Sequence, residues 1–331
     1  MDIVKDFIIL IVSFLFLFKC ADIFVGSASS IAELLGIPKI IIGIILVSLA
    51  TTSPEFAVSI IAAYRGQPEI ALGNALGSVI CDDGLALALA AILAPTFILI
   101  DRDVLRTAGA FLISVAILTY LLALNGTIGR PEGLVLLCLL FGYFAFLIRN
   151  EQKRRKSRKK DAKNTTGTDN ENKATGKTSH KQIALKFLFG LAGIIIASYF
   201  IVESATDIAR FYGISEAVIG LTIVAFGTSL PEISTCISAA RHGEGQIAAG
   251  NIIGADILNI LWIVGMSSLV NPMHVDTKFI NFTFPWMLFI VTTMLVCMRI
   301  RYRLSRLKGF ILMTLYIIFM GTSIYIFYVK Q

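Results

Sequence analysis

Charge is scarce in this sequence. Asp, Glu, Lys and Arg together make up 15% of 331 residues, where soluble domains carry about 25%. Hydrophobic residues make up 56%, and the mean hydropathy is +0.80. A soluble globular chain is excluded. Histidine occurs three times and cysteine five (Cys20, Cys81, Cys138, Cys236, Cys297), with no CxxC and no Cys/His metal spacing. A zinc site and a disulfide framework are therefore excluded, and the cysteines read as small apolar packers. No GxGD, HExxH or GxSxG string is present, so an intramembrane hydrolase ranks last among the readings. The chain reads as a non-enzyme that needs no cofactor. The apolar N-terminus, Phe7 to Phe18, lacks a small-residue cleavage site followed by a soluble domain, so it reads as a first spanning helix.

What is abundant is apolar sequence in long runs. A bilayer core about 30 Å thick takes about 20 apolar residues per helix. Such runs predict an all-α polytopic membrane protein with ten spans, near 6–28, 38–64, 69–95, 105–125, 131–149, 183–209, 216–241, 246–270, 279–299 and 309–328. These group as five spans in 1–149 and five in 183–331. Between them, 150–182 holds KRRKSRKKDAK and NTTGTDNENKATGKTSH, a polar stretch without a core that predicts a disordered basic linker. Beside a membrane helix its cations indicate lipid and topology, not nucleic acid. Loops on the linker's side also carry Lys39, Arg102, Arg106, Arg241, Arg299, Arg301, Arg303, Arg306 and Lys308. The other side has Lys5, Arg65, Arg130, Arg210, Lys278 and Lys330. This bias predicts a cell-membrane protein with a cytoplasmic linker and both termini outside. No feature demands a protein partner.

The two groups of spans share an internal repeat. Residues 31–82 align with 208–259 without a gap. The pairs Gly36/Gly213, Gly43/Gly220, Thr51/Thr228, Pro54/Pro231, Glu55/Glu232, Gly66/Gly243, Gly73/Gly250, Asn74/Asn251 and Gly77/Gly254 all keep one offset. An odd number of spans per half turns the second copy upside down. Inverted repeats meeting at the midplane are a secondary-transporter architecture. A duplicated inert bundle would not concentrate the matches on polar residues.

The best-matched strings are TTSPEFAVS (Thr51–Ser59) and GTSLPEIST (Gly227–Thr235). An acid in the middle of a spanning helix costs several kcal/mol unless paired or hydrated. Two such acids brought together repel, and a cation between them removes the penalty. Pro54 and Pro231 offer no N–H to the carbonyls of Ala50 and Gly227, so backbone oxygen is freed near Thr51 and Thr228. On a helix, Thr51 and Glu55 share one face, as do Thr228 and Glu232. The second strings, GNALGSVICDD (Gly73–Asp83) and GNIIGADILNI (Gly250–Ile260), supply glycines for close helix approach, Asn74 and Asn251 to hydrogen-bond the opened helices, and the spaced pairs Ser78/Asp82 and Ala255/Asn259. Carboxylates, hydroxyls, amides and carbonyls are hard donors that suit calcium or alkali ions rather than zinc or copper.

These paired motifs resemble the two alpha repeats of the cation/calcium exchanger superfamily, closest to its prokaryotic sodium/calcium antiporters. The resemblance spans nearly all the chain outside the linker. It implies ten spans, alternating access and overlapping calcium and sodium sites. By position, it implies calcium held by Glu55, Glu232 and the carbonyls of Thr51 and Thr228. An outer sodium position would use Ala225, Thr228, Ser229, Ser78 and Glu232. An inner one would use Ser48, Thr51, Thr52, Ala255 and Glu55, and a central one Asp82 and Asn259. Three departures stand out. Thr-Thr-Ser-Pro-Glu replaces the usual Thr-Ser-Leu-Pro-Glu, the acid of the Asp82/Asn259 pair has changed sides, and Ala255 replaces a serine.

Asp83 and Asp256 lie beside the motif faces. Asp22 and Glu203 read as locally paired, and His180, His242 and His274 as loop residues. The leading reading is calcium exchange against sodium. Proton/calcium antiport is the near rival, and a gated cation channel with Glu55 and Glu232 as a selectivity ring is less favoured.

Overall fold

In the lipid core backbone groups must be satisfied within the segment, so the apolar runs become helices. The computed structural model describes residues 3–165, 180–213 and 225–326. In order the helices are α1 (Ile3–Leu35), α2 (Lys39–Thr51), α3 (Ser53–Tyr64), α4 (Pro68–Leu93), α5 (Arg102–Ala123), α6 (Arg130–Thr165) and α7 (His180–Phe211). They continue as α8 (Ala225–Thr228), α9 (Leu230–Arg241), α10 (Gly245–Val270), α11 (Phe279–Tyr302) and α12 (Arg306–Ile324). Among the described residues eight helices are long and apolar enough to cross a membrane, and nine if the bent pair α2–α3 counts as one span. The expected span 216–241 is only partly covered, because 214–224 lie outside the described residues.

Two boundaries differ from the sequence expectation. α1 runs to Leu35 instead of ending near 28, and its 33 residues extend about 50 Å. It stops where Gly36 takes a left-handed φ of 60° and the Gly36 and Ile37 amides cap Glu33 and Ala32. α6 continues as helix to Thr165 and α7 begins at His180, so the stretch expected as a disordered linker over 150–182 is helical at both ends. Residues 166–179 lie outside the described residues.

The repeat reappears in backbone geometry. Bounds of α3 and α9 differ by the sequence offset, as do those of the π-helical turns Asp82–Ala86 in α4 and Asn259–Ile263 in α10. Gly66 and Gly243, at φ 78° and 76°, end α3 and α9 alike. Four two-residue strands lie in the connections: β1 (Ile98–Leu99), β2 (Thr127–Ile128), β3 (Met273–His274) and β4 (Arg303–Leu304). β1 pairs antiparallel with β4, and β2 with β3, so each half lends a strand to the other. Arginines follow the same exchange. Arg130 Nε donates to the Leu269 carbonyl at the end of α10, and Arg306 donates to the Ala94 carbonyl at the end of α4.

The core sits around α4 and α10, with α1 packed along α7, α12 on α4 and α6 on α10. α2 lies almost in backbone contact with α10. A Cβ on Gly43 would stand 2.7 Å from the Ile247 carbonyl oxygen, and one on Gly250 would collide with the Ile40 carbonyl. Two polar clasps hold α1 to the last turns of α9 and to the turn that follows it. Asp22 Oδ1 accepts from Ser238 Oγ at 2.6 Å, and Glu244 Oε1 accepts from Ser29 Oγ at 2.8 Å and from Lys39 Nζ at 2.6 Å. Asp22 thus pairs across the fold, not locally.

The close α2–α10 approach gives a stability prediction. Gly250→Ala should destabilise the protein by about 1–3 kcal/mol through overpacking. Gly26→Ala, where a Cβ meets nothing within 4 Å, should be neutral. Thermal unfolding of the detergent-solubilised variants checks both.

Candidate cation site

Pro54 and Pro231 shape the site locally. The α2–α3 axis bends by 46°. The break falls at Thr52 (φ −78°, ψ −3°), and its equivalent falls at Ser229 (φ −85°, ψ 2°). Each proline sits in the first turn after the break, where a missing N–H is tolerated. Glu55 and Glu232 then occupy the first turns of α3 and α9. There the partial positive charge of a helix N-terminus favours an anion. The break also removes the continuous helix that would put Thr51 and Glu55 on one face. Thr51 Oγ1 turns instead toward the other half and donates to Asn251 Oδ1 at 3.1 Å.

Glu55 and Glu232 are each 1% exposed, and Asp82 and Asn259 are equally buried. Glu55 lies within electrostatic reach of Glu232 and Asp82. Thr52 Oγ1 donates to Glu232 Oε1 at 3.2 Å across the two halves. Among the described residues no protein donor reaches either carboxylate oxygen of Glu55, Glu232 Oε2, Asp82 Oδ1, Asn259 Oδ1 or Ser229 Oγ. No Lys, Arg or His forms an ion pair with these acids in that set. Buried carboxylates left so carry a penalty of several kcal/mol, which a bound cation or a proton relieves. No three His, Cys, Asp or Glu side chains are placed to hold a metal ion by themselves among the described residues. A cation there must also draw on hydroxyl, amide and backbone oxygen. That donor set is the one calcium and sodium accept.

Other sequence-identified residues fall around this centre. Ser48 is buried and its hydroxyl donates back to the Ile44 carbonyl at 2.5 Å. Ser78 is buried on α4, one turn before Asp82. Thr228 closes α8. Ala225 begins that helix, and its side chain lies outside the described residues. Asp82 and Asn259 open the two π-helical turns, a local widening common at functional sites.

Asn74 and Asn251 hydrogen-bond the broken helices as their strings suggest, but their partners and one further pair of acids were not legible. Asn74 Nδ2 donates to the Glu55 carbonyl at 3.2 Å and to Ser59 Oγ at 2.9 Å. Asn251 Nδ2 donates to Cys236 Sγ at 3.7 Å, the repeat equivalent of the Ser59 contact. The matched asparagines hinted at this, but the Ser59/Cys236 partners did not stand out, because their residue types differ. Asp83 and Asp256 are fully buried near each other, and among the described residues no hydrogen bond reaches their carboxylate oxygens. They are not repeat equivalents, so no sequence signal joined them.

The sodium/calcium exchanger protein family model matches residues 5–149 and 183–325. The chain belongs to that family. The sodium/calcium exchanger MaX1 of Methanosarcina acetivorans is 32% identical, over 98% of this chain and all of that protein. The inner membrane protein YrbG of Escherichia coli is 36% identical over 81% of each chain. Solved structures of the sodium-calcium exchanger NCX_Mj, among them one soaked with Na+ and Sr2+, superpose with a TM-score of 0.81 at 25% identity. That match covers 97% of this chain and 99% of the other. The family membership accounts for a polytopic helical bundle whose polar residues gather at its centre, and the family match leaves only the ends and 150–182 outside it.

Proposed function

We propose that this exchanger-family protein is a secondary-active antiporter that swaps calcium for sodium by alternating access. Its site lies between two inverted five-helix halves, ten spans in all. The observation that carries the reading is the pair of buried glutamates Glu55 and Glu232, whose carboxylates receive one donor among the described residues, the Thr52 hydroxyl, where two broken helices meet. Calcium balances both charges and takes the backbone oxygens near Thr51 and Thr228 as further ligands. Sodium ions occupy overlapping positions drawn from Ser48, Thr51, Thr52, Ser78, Asp82, Ala225, Thr228, Ser229 and Asn259. Because the positions overlap, one ion must leave before the other binds. Two uncompensated carboxylates in a dry core oppose crossing without cargo, and that penalty couples the two fluxes. The names of the relatives carry sodium and calcium, so the proton rival is not favoured. In the membrane the linker 150–182 faces the cytoplasm and both termini face outside, as the Lys/Arg bias supports.

Glu55→Gln and Glu232→Gln should each abolish calcium-45 exchange in proteoliposomes while the protein remains folded by gel filtration. Near wild-type uptake by either variant would remove the shared-carboxylate site. For the topology, single cysteines introduced by Ser157→Cys and Ser305→Cys should both react with an impermeant thiol reagent from the cytoplasmic side alone. Labelling from opposite sides would break the inverted arrangement.

Ala255 is buried where its repeat equivalent is Ser78, so one half lacks a hydroxyl that the other has. One neutral oxygen is worth about 1 kcal/mol, or about five-fold in affinity. Ala255→Ser should therefore lower the sodium concentration for half-maximal calcium efflux by about that factor and leave calcium affinity nearly unchanged. Efflux that follows a pH gradient and ignores sodium in both proteins would return the proton reading.

A further inference from the structure

The two poles of the molecule share one backbone plan and differ in chemistry. At the β2–β3 pole the connections carry Arg130 and Lys278 beside Glu132 and Asp276, so the charges balance. Pairing of β1 with β4 brings together the connection after α4 and the turn between α11 and α12, where Arg102, Arg106, Arg299, Arg301, Arg303, Arg306 and Lys308 outnumber Asp101 and Asp103. Arg306 and Lys308 are used internally. Lys308 Nζ donates to the carbonyls of Cys297, Ile300 and Arg303 at 2.6–2.7 Å and so ties the turn.

The remaining arginines there have no such use. Arg299, Arg301 and Arg303 form no ion pair among the described residues. Arg301 is held at a left-handed φ of 61°. The Arg303 guanidinium lies 4.8 Å from the Phe97 ring centre, and that of Arg102 lies 5.5 Å from the Tyr302 ring centre, so both are oriented.

Apolar side chains stand out between these cations. Leu307 is 71% exposed, Leu99 60% and Ile300 52%. A turn solvated by water has no reason to present three large aliphatic side chains beside unpaired arginines. A turn at the level where acyl chains meet headgroups does. Guanidinium groups match phosphate oxygens in a two-pronged geometry.

We propose that the β1–β4 turn pair is a docking surface for an anionic phospholipid. Arg299, Arg301 and Arg303 hold its phosphate, and Leu99, Ile300 and Leu307 lie among the adjoining acyl chains. The surface shares no residue with the Glu55 and Glu232 centre, and the inference is independent of the exchange reading.

Native mass spectrometry of the full-length protein in detergent, mixed with equal dioleoyl-phosphatidylglycerol and dioleoyl-phosphatidylcholine, tests the surface. Wild type should retain phosphatidylglycerol several-fold over phosphatidylcholine. The triple variant Arg299→Gln, Arg301→Gln, Arg303→Gln should lose that preference, while the pair Arg130→Gln, Lys278→Gln at the other pole should keep it. Folding of the triple variant is read by gel filtration. If it does not fold, the single variant Arg301→Gln, on an exposed turn, decides by retaining about half the preference. Equal retention of both lipids by wild type overturns the proposal, and so does an undiminished preference in the arginine variants. Displacement of phosphatidylglycerol by millimolar inorganic phosphate would mean a simple anion site and would also overturn the lipid assignment.

Discussion

An unpaired carboxylate in a lipid-embedded core is expensive to keep, and the architecture around Glu55 and Glu232 follows from that one constraint. Each acid sits in the first turn of a helix that begins just after a break. There the partial positive charge of a helix N-terminus favours the carboxylate, and proline's missing N–H is tolerated. The opposite half supplies a hydroxyl, Thr52, to the Glu232 carboxylate. Broken backbone at this depth survives only when enclosed by protein. The close approach of α2 to α10 through Gly43 and Gly250 provides that enclosure.

Around this centre the two halves share a backbone and differ in side chains. The asparagine that braces each motif helix meets oxygen at Ser59 in one half and sulfur at Cys236 in the other. Asp82 has Asn259 as its repeat counterpart, and Ser78 has Ala255. Phe56 stacks on Trp262 with ring centres 3.9 Å apart, whereas the equivalent positions hold Ile233 and Leu85. These substitutions make the two halves differ in polar groups and bulk on an unchanged frame. The poles differ in the same manner, one balanced in charge and one strongly cationic.

Much of this was legible from residue order. Hydropathy set the solvent as lipid, and a constant offset between polar strings exposed the repeat. An acid after proline within an apolar run marked Glu55 and Glu232 without any coordinates, because nothing but function keeps such a residue in a spanning helix. Helix ends were less legible. α1 outran its apolar stretch because Schellman-type capping at Gly36, not hydropathy, terminates it. The helical turns at both ends of 150–182 also escaped a reading based on composition alone.

Only the tertiary structure decided which groups meet. Thr51 and Thr52 point to the opposite half because the helix breaks between Thr51 and Ser53, and a helical wheel drawn through the break loses its phase. The π-helical turns at Asp82 and Asn259 each insert a residue into the helix without altering the sequence pattern that periodicity detects. Asp83 and Asp256 come together from unmatched repeat positions, as do Asp22 and Ser238. Residue order determined the solvent, the duplication and the charged centre, because burial cost and repeat offset are local to the sequence. Partners across the two halves depend on bends and close helix approaches, and those exist only once the chain has packed.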